Sequence, residues 1–161
     1  MGLNVDHADL SSYVPSKRHY KAIVLFQVLE HMSDPVGVLR RLSVGLMEGG
    51  IIVVTTPNSR SMMRYAFGKH WNGWDAPYHI THFSEKALTY AGSKAGLSLR
   101  HASSIANADE LRRCLIFKTQ RHGRMLALRV AATPAFLIAG ALGRGGHLLA
   151  CLGPQSEDGS Q

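Results

Sequence analysis

The sequence predicts an α/β fold built on one parallel strand–helix–strand unit, and three observations carry that expectation. Ala22-Ile23-Val24-Leu25-Phe26 is a near-continuous apolar run with β-branched residues, as in a parallel strand covered on both faces. Asp34-Pro35 is a helix start: the carboxylate accepts from free amides, and proline suits the first helical position. Val36, Leu39, Leu42 and Leu46 then recur at helical spacing, with Arg40 and Arg41 facing away. Gly49-Gly50 is read as the helix stop, and residues 51–55 as the next buried strand, closed by Pro57-Asn58. Short joins make this a right-handed unit, and its strand ends are where an open α/β sheet gathers ligand-binding groups.

The bulk numbers fit one globular domain. At 161 residues the chain is long enough for a core, and 45% hydrophobic with 18% charged residues lies outside the disordered range. Eighteen Lys and Arg against 11 Asp and Glu give +7, which favours an anion: a nucleotide cofactor, anionic lipid or nucleic acid. Nucleic acid is the weakest of these. The basic stretches Lys17-Arg18, Arg40-Arg41, Arg112-Arg113 and 118–129 lack the interleaved aromatic residues of a stacking platform. Cys114 and Cys151 have no CxxC spacing and read as reduced thiols, and no signal peptide opens the chain, so a cytoplasmic location is expected. The apolar run 125–142 contains Arg129 and Pro134 and is short for a membrane crossing.

The remaining elements follow in order. Residues 2–10 form a short strand-like piece ending in Asp9, and a polar stretch, 11–20, leads to the first core strand. Residues 59–83 hold Trp71, Trp74, Tyr65, Tyr78, Phe67, His70, His79 and His82 without regular period, and are expected to form a cover over the strand ends. Ser84 caps a helix through Ala95, stopped by Gly96, and 97–103 is a further strand. Residues 106–142 read as a helical, basic and apolar insertion, and 143–152 as a turn and last strand. The domain is thus expected over 3–152, with a flexible tail at 153–161.

Two motifs identify a family. Val28-Leu29-Glu30-His31, Asp34-Pro35, Gly49-Gly50 and Pro57-Asn58 form the first; Trp71, Pro77-Tyr78-His79-Ile80-Thr81-His82-Phe83-Ser84 and Ala95-Gly96-Leu97 form the second. Together they resemble the middle and end of a class I S-adenosylmethionine-dependent methyltransferase, in the small-molecule group that includes the ubiquinone O-methyltransferases. Glu48 stands where that family usually has proline, and Gly145-Gly146-His147 where Gly-Asp-Glu is common. The resemblance implies a Rossmann-like methyltransferase sheet with an antiparallel last strand, the cofactor S-adenosyl-L-methionine and a small-molecule, lipid-like or glycan acceptor.

In that family four strand ends hold the cofactor. By the resemblance, Asp9 and Leu10 match the adenine position, and Phe26, Gln27 and Val28 the fourth strand end. None of the 16 glycines forms GxGxG or GxGxxG near the N-terminus. The resemblance therefore implies a partial sheet that begins at about the third strand, without the first two strands and the glycine loop.

The acceptor side rests on His31, His79 and His82 as candidate bases, since imidazole titrates near neutral pH. The same rings could instead brace loops by bonding backbone. Glu30, Trp71, Trp74 and Tyr78 are the candidate acceptor contacts; the aromatic residues serve equally as packing for the cover. Some members of the resembled family hold a divalent ion with residues that here would be Gln27, Glu30, His31 and His82. The neutral Gln27 counts against a hard ion, and no metal is assigned. The 125–142 helix suits a membrane-surface contact or a core or dimer contact. The alternative to an active enzyme is an inactive methyltransferase-like fragment or binding partner.

Overall fold

The computed structural model describes residues 7–106, 134 and 138–155. Among the described residues the main elements follow in the order β1 (Tyr20–Phe26), α1 (Pro35–Ser43), β2 (Leu46–Pro57), α2 (Met62–Phe67), α3 (Glu85–Lys94), β3 (Leu97–Ile105) and β4 (His147–Pro154). The sheet order is β1-β2-β4-β3. β1 and β2 are parallel, with Ile23 opposite Ile52, and β4 runs antiparallel to both of its neighbours, with Ala150 opposite Val54 on one side and Ala102 on the other. The α/β class and the antiparallel last strand are therefore as the sequence implies.

Local chemistry places the helices. The Asp34 carboxylate accepts from the Gly37 amide at 2.8 Å, and Ser84 Oγ accepts from the Ala87 amide at 3.2 Å. Each satisfies a helix-end donor and is worth about 1 kcal/mol. Val38, Leu39 and Leu42 of α1 and Leu88 and Ala91 of α3 meet Leu25, Ile52, Val54, Leu97 and Leu152 of the sheet in one buried cluster. Removing the Leu39 side chain from such a site costs about 2–5 kcal/mol. A second, smaller cluster joins Met63 and Trp71 with Phe67, Trp74 and Ala106.

Some expectations need correction. His7 to Leu10 contains no strand; the Asp9 carbonyl starts a turn that accepts from the Ser12 and Tyr13 amides. β1 is an edge strand among the described residues, and its apolar run is covered on one face only: Leu25 is buried, whereas Val24 is 62% and Phe26 72% exposed on the other. α1 ends at Ser43, and Gly49-Gly50 lies inside β2, where the register with β1 is broken between Tyr20 and Ala22. Arg41 is half-buried, with its Nε shielded from solvent, and does not face away. β3 runs two residues beyond the expected 103, and β4 takes in Gly153 and Pro154, opposite Ser98 and Leu97. Most of the expected insertion, Cys114 included, lies outside the described residues, as do most of 125–142 and residues 156–161. Among the described residues no helix is long and apolar enough to cross a membrane.

Candidate functional site

The site is built where β1 ends. Gln27 has φ +54, a conformation that costs a side-chain-bearing residue roughly 1–2 kcal/mol, and its amide donates to the Thr55 carbonyl at 3.0 Å. That turn releases the chain from β1 beside β2. A single helical turn, Leu29–His31, then sinks Leu29 into the core and carries Glu30 in with it, leaving Glu30 only 1% exposed. In the orientation its neighbours require, the Gln27 side-chain NH2 donates to Glu30 Oε1 at 3.3 Å and its oxygen accepts from the Thr56 amide at 3.2 Å. Glu30 Oε2 is buried without a hydrogen-bond partner among the described residues.

The segment after β2 folds back over this turn. The Glu30 carbonyl accepts from the Ile80 amide at 2.9 Å and the Thr81 amide at 3.1 Å. His31 Nδ1 lies 3.0 Å from the Tyr78 carbonyl, and His79 Nδ1 lies 2.9 Å from the Gly73 carbonyl. A carbonyl only accepts, so Nδ1 is the donor in both rings, and the neutral form of each has its lone pair on Nε2. The two rings stand edge to face with centroids 4.8 Å apart. His82 is used differently: its Nε2 is 3.3 Å from the Trp74 carbonyl, with its ring against the Trp74 indole. Trp74 Nε1 donates in turn to the Gly68 carbonyl at 2.9 Å.

These pieces enclose a polar cavity of about 160 Å3 lined by Gln27, Pro57, Asn72, Gly73, Asp75, His79 and His147. It sits over the C-terminal ends of β1 and β2 and the start of β4, the end of the sheet at which such folds bind ligands. A second cavity, about 300 Å3, lies among Asn58, Arg60, Glu85, Lys86 and Arg144 and shares no lining residue with the first.

The fold thus gathers Gln27, Glu30, His31, Tyr78 and His79, with Trp74 and His82 behind them. Asp9 and Leu10 are placed otherwise. The Asp9 carboxylate accepts from Ser11 Oγ at 2.7 Å and from the Ser11 amide at 2.8 Å, and Leu10 packs against the main core. Those Ser11 bonds, with a smaller attraction from Arg41, hold the Asp9 carboxyl below the usual carboxylate range. Phe26 is exposed beside the turn, Val28 is half-buried against the core, Trp71 is buried at 2%, and Tyr78 is exposed. Asp75, Asn72 and His147 join the cavity without having been singled out as site residues. Their only sequence signal is position: two fall in the aperiodic cover and one opens the last strand.

The sequence matches a known family. A methyltransferase-domain family model covers residues 3–102. The chain belongs to the methyltransferase-domain family. No curated protein matches it by sequence. Solved methyltransferase structures share its fold. A S-adenosylmethionine-dependent methyltransferase from Mesorhizobium loti is 18% identical, with a TM-score of 0.56 over 91% of this chain and 67% of its own. An O-methyltransferase from neocarzinostatin biosynthesis, solved with S-adenosyl-L-homocysteine and 1,4-dihydroxy-2-naphthoic acid, is 16% identical, with a TM-score of 0.53 over 88% of this chain and 31% of its own. The [4+2]-cyclase SpnF is 17% identical, with a TM-score of 0.55 over 94% and 56%. The chain therefore spans between about a third and two thirds of these proteins' lengths, and the likeness is one of fold.

Proposed function

We propose that this methyltransferase-family chain serves S-adenosylmethionine-dependent methyl transfer to a small-molecule acceptor, in the range of phenolic, lipid-like or glycan hydroxyls. The polar cavity at the C-terminal ends of β1 and β2, with His79 and Gln27 on its wall, carries the reading. Transfer from a sulfonium is an in-line displacement. It requires an acceptor oxygen held in line and, for a hydroxyl, a base for its proton. His79 and His31 suit the base, because each has its Nδ1 committed to a backbone carbonyl and its Nε2 left to accept. His82 commits Nε2 to the Trp74 carbonyl, so its part is to position the cover. Phe26, Gln27 and Val28 are assigned to the cofactor side, Asp9 and Leu10 to its adenine end, and Glu30, Trp74 and Tyr78 to the acceptor side, with Trp71 behind them.

A second reading is a methyltransferase-like binding module without turnover of its own. The fold is shared by the [4+2]-cyclase SpnF, so it does not by itself entail methyl transfer. Calorimetry with S-adenosylmethionine, paired with transfer of a labelled methyl group to a dihydroxy-aromatic acceptor, separates the two. Micromolar binding, with transfer that His79→Ala lowers by about a hundredfold, is expected of the enzyme. Absence of both binding and transfer leaves the binding module.

A further inference from the structure

We infer that Arg60, Lys86 and Arg144 form a binding site for a phosphomonoester, on the opposite face of the sheet from the histidine-lined cavity. The three come from separate stretches of chain: the loop after β2, the first turn of α3 and the turn before β4. They meet around the cavity of about 300 Å3, with Asn58, Glu85 and Leu148 on its wall. Pro57 and His147, which face each other in the β2–β4 ladder, line the first cavity, and their chain neighbours Asn58 and Leu148 line this one. Successive side chains of a strand point to opposite faces, so this cavity belongs to the face on which α3 packs.

Buried hydrogen bonds build the cavity wall. Asn58, which is 1% exposed, draws the turn at 143–145 to the end of β2 through its side-chain NH2, and its Oδ1 accepts from the Arg60 amide. Arg144 is pinned in that turn: its amide donates to the Ala139 carbonyl at 2.7 Å, and its carbonyl accepts from the Met62 amide at 2.9 Å. Its guanidinium carbon stands 6.0 Å from the centre of the Tyr65 ring, a cation–π contact that orients the group. The gathered charges have no matching anion. Among the described residues none of Arg60, Lys86 and Arg144 forms an ion pair, although Glu85 shares the wall. Ser84 caps α3, so Lys86 stands in the first turn, where the helix dipole disfavours a cation. Three cations around one cavity repel one another unless an anion enters. With Glu85 set against them, the excess matches the nearly doubly charged phosphomonoester at neutral pH. The planar forks of Arg60 and Arg144 suit its oxygens in pairs, and Lys86 adds a point charge. A carboxylate carries only one charge and leaves a cation unmatched.

The inference rests on this cavity and not on methyl transfer, so its test reads binding alone. The 161-residue chain is titrated with inorganic phosphate at constant ionic strength, followed by backbone amide NMR shifts and by thermal unfolding. One saturable site is expected, with a raised Tm, shifts concentrated at Arg60, Lys86, Gly143 and Arg144, and acetate bound at least about tenfold more weakly. Arg60→Ala, Lys86→Ala and Arg144→Ala each weaken phosphate binding at least about tenfold. Lys17→Ala, which removes the same charge from an exposed position outside the cavity, leaves it unchanged. Arg144→Gln replaces Arg144→Ala if that variant fails to show a native circular-dichroism spectrum. Co-sedimentation with phosphatidylcholine vesicles containing phosphatidic acid distinguishes the sources of the group. Vesicle binding that the three variants abolish assigns the phosphate to a lipid headgroup, and phosphate binding without vesicle binding assigns it to a free phosphorylated small molecule. Absence of saturable phosphate binding overturns the inference. So does an equal loss in Lys17→Ala and the cavity variants, since general positive charge would then attract the anion.

Discussion

The Asn58 side-chain NH2 donates to the Gly145 carbonyl at 2.9 Å, joining the end of β2 to the turn before β4 across 87 residues of chain. The same NH2 reaches the Gly143 carbonyl at 3.2 Å, and Asn58 Oδ1 accepts from the Arg60 amide at 2.9 Å. Asn58 is 1% exposed, so these groups have no water to fall back on. Asn58→Ala leaves the buried Gly145 carbonyl without this donor and is expected to lower stability by about 1–3 kcal/mol in urea denaturation. Asn58→Asp should cost more, because it turns a donor facing two carbonyls into an acceptor. If the Asp variant is the more stable of the two, the Asn58 latch is wrong.

The glycine pair predicts a second contrast. Gly49 has φ +70 and open space where a Cβ would stand, whereas a Cβ on Gly50 would lie 2.9 Å from the Met47 carbonyl and 3.1 Å from that of Tyr20. Gly49 is therefore required for its backbone conformation, and Gly50 for close approach. Gly49→Ala should cost about 1–2 kcal/mol, and Gly49→Asn should recover part of that, since Asn tolerates the left-handed region. Gly50→Asn should recover nothing relative to Gly50→Ala. Equal behaviour of the two Asn variants in chemical denaturation would refute the distinction.

Those glycines also show what a sequence can carry. Asp34-Pro35 and Ser84 mark helix starts because a cap acts within four residues, and the structure has both caps where the residues stand. The pair at 49–50 signals a positive φ correctly and its setting wrongly: whether that turn ends a helix or kinks a strand depends on β1, more than twenty residues away. Burial of β1 is equally non-local, since Val24 and Phe26 look like core until the neighbour on their open side is considered. At the site, Glu30 and His31 are legible from their place after a strand. The choice of His79 over His82 as their neighbour is not. It depends on which backbone carbonyl each ring finds in an aperiodic segment, Gly73 for one and Trp74 for the other.

The aromatic residues of the cover divide into two roles that one experiment can separate. Trp71 is 2% exposed and packs on Met63, while Tyr78 is 68% exposed and offers its backbone carbonyl, not its ring, to His31. Trp71→Ala is expected to lose about 3–5 kcal/mol of stability. Tyr78→Ala should stay within about 0.5 kcal/mol of the parent, because a surface side chain is removed and the carbonyl remains. Under the proposed methyl transfer, Tyr78→Ala raises the acceptor KM and leaves the melting curve in place. A large loss of stability in Tyr78→Ala would show that its ring packs as Trp71 does.

Asp9 supplies a pH dependence whose sign follows from its partners. The Ser11 hydroxyl and amide bonds favour the ionised carboxylate and lower its pKa from the usual 3.8, with Arg41 adding a smaller attraction. A carboxyl whose folded pKa is depressed contributes stability above its unfolded pKa and loses that contribution as pH falls through the folded value. Ser11→Ala removes the 2.7 Å hydroxyl bond and keeps the amide bond. The Asp9 titration, followed by the NMR shift of its side-chain carboxyl carbon, should therefore move up toward the ordinary carboxylate value without reaching it. The stability difference between parent and variant should be present at neutral pH and fade in acid, where both carboxyls are protonated. An Asp9 titration unmoved by Ser11→Ala would show that the hydroxyl bond does not set its acidity.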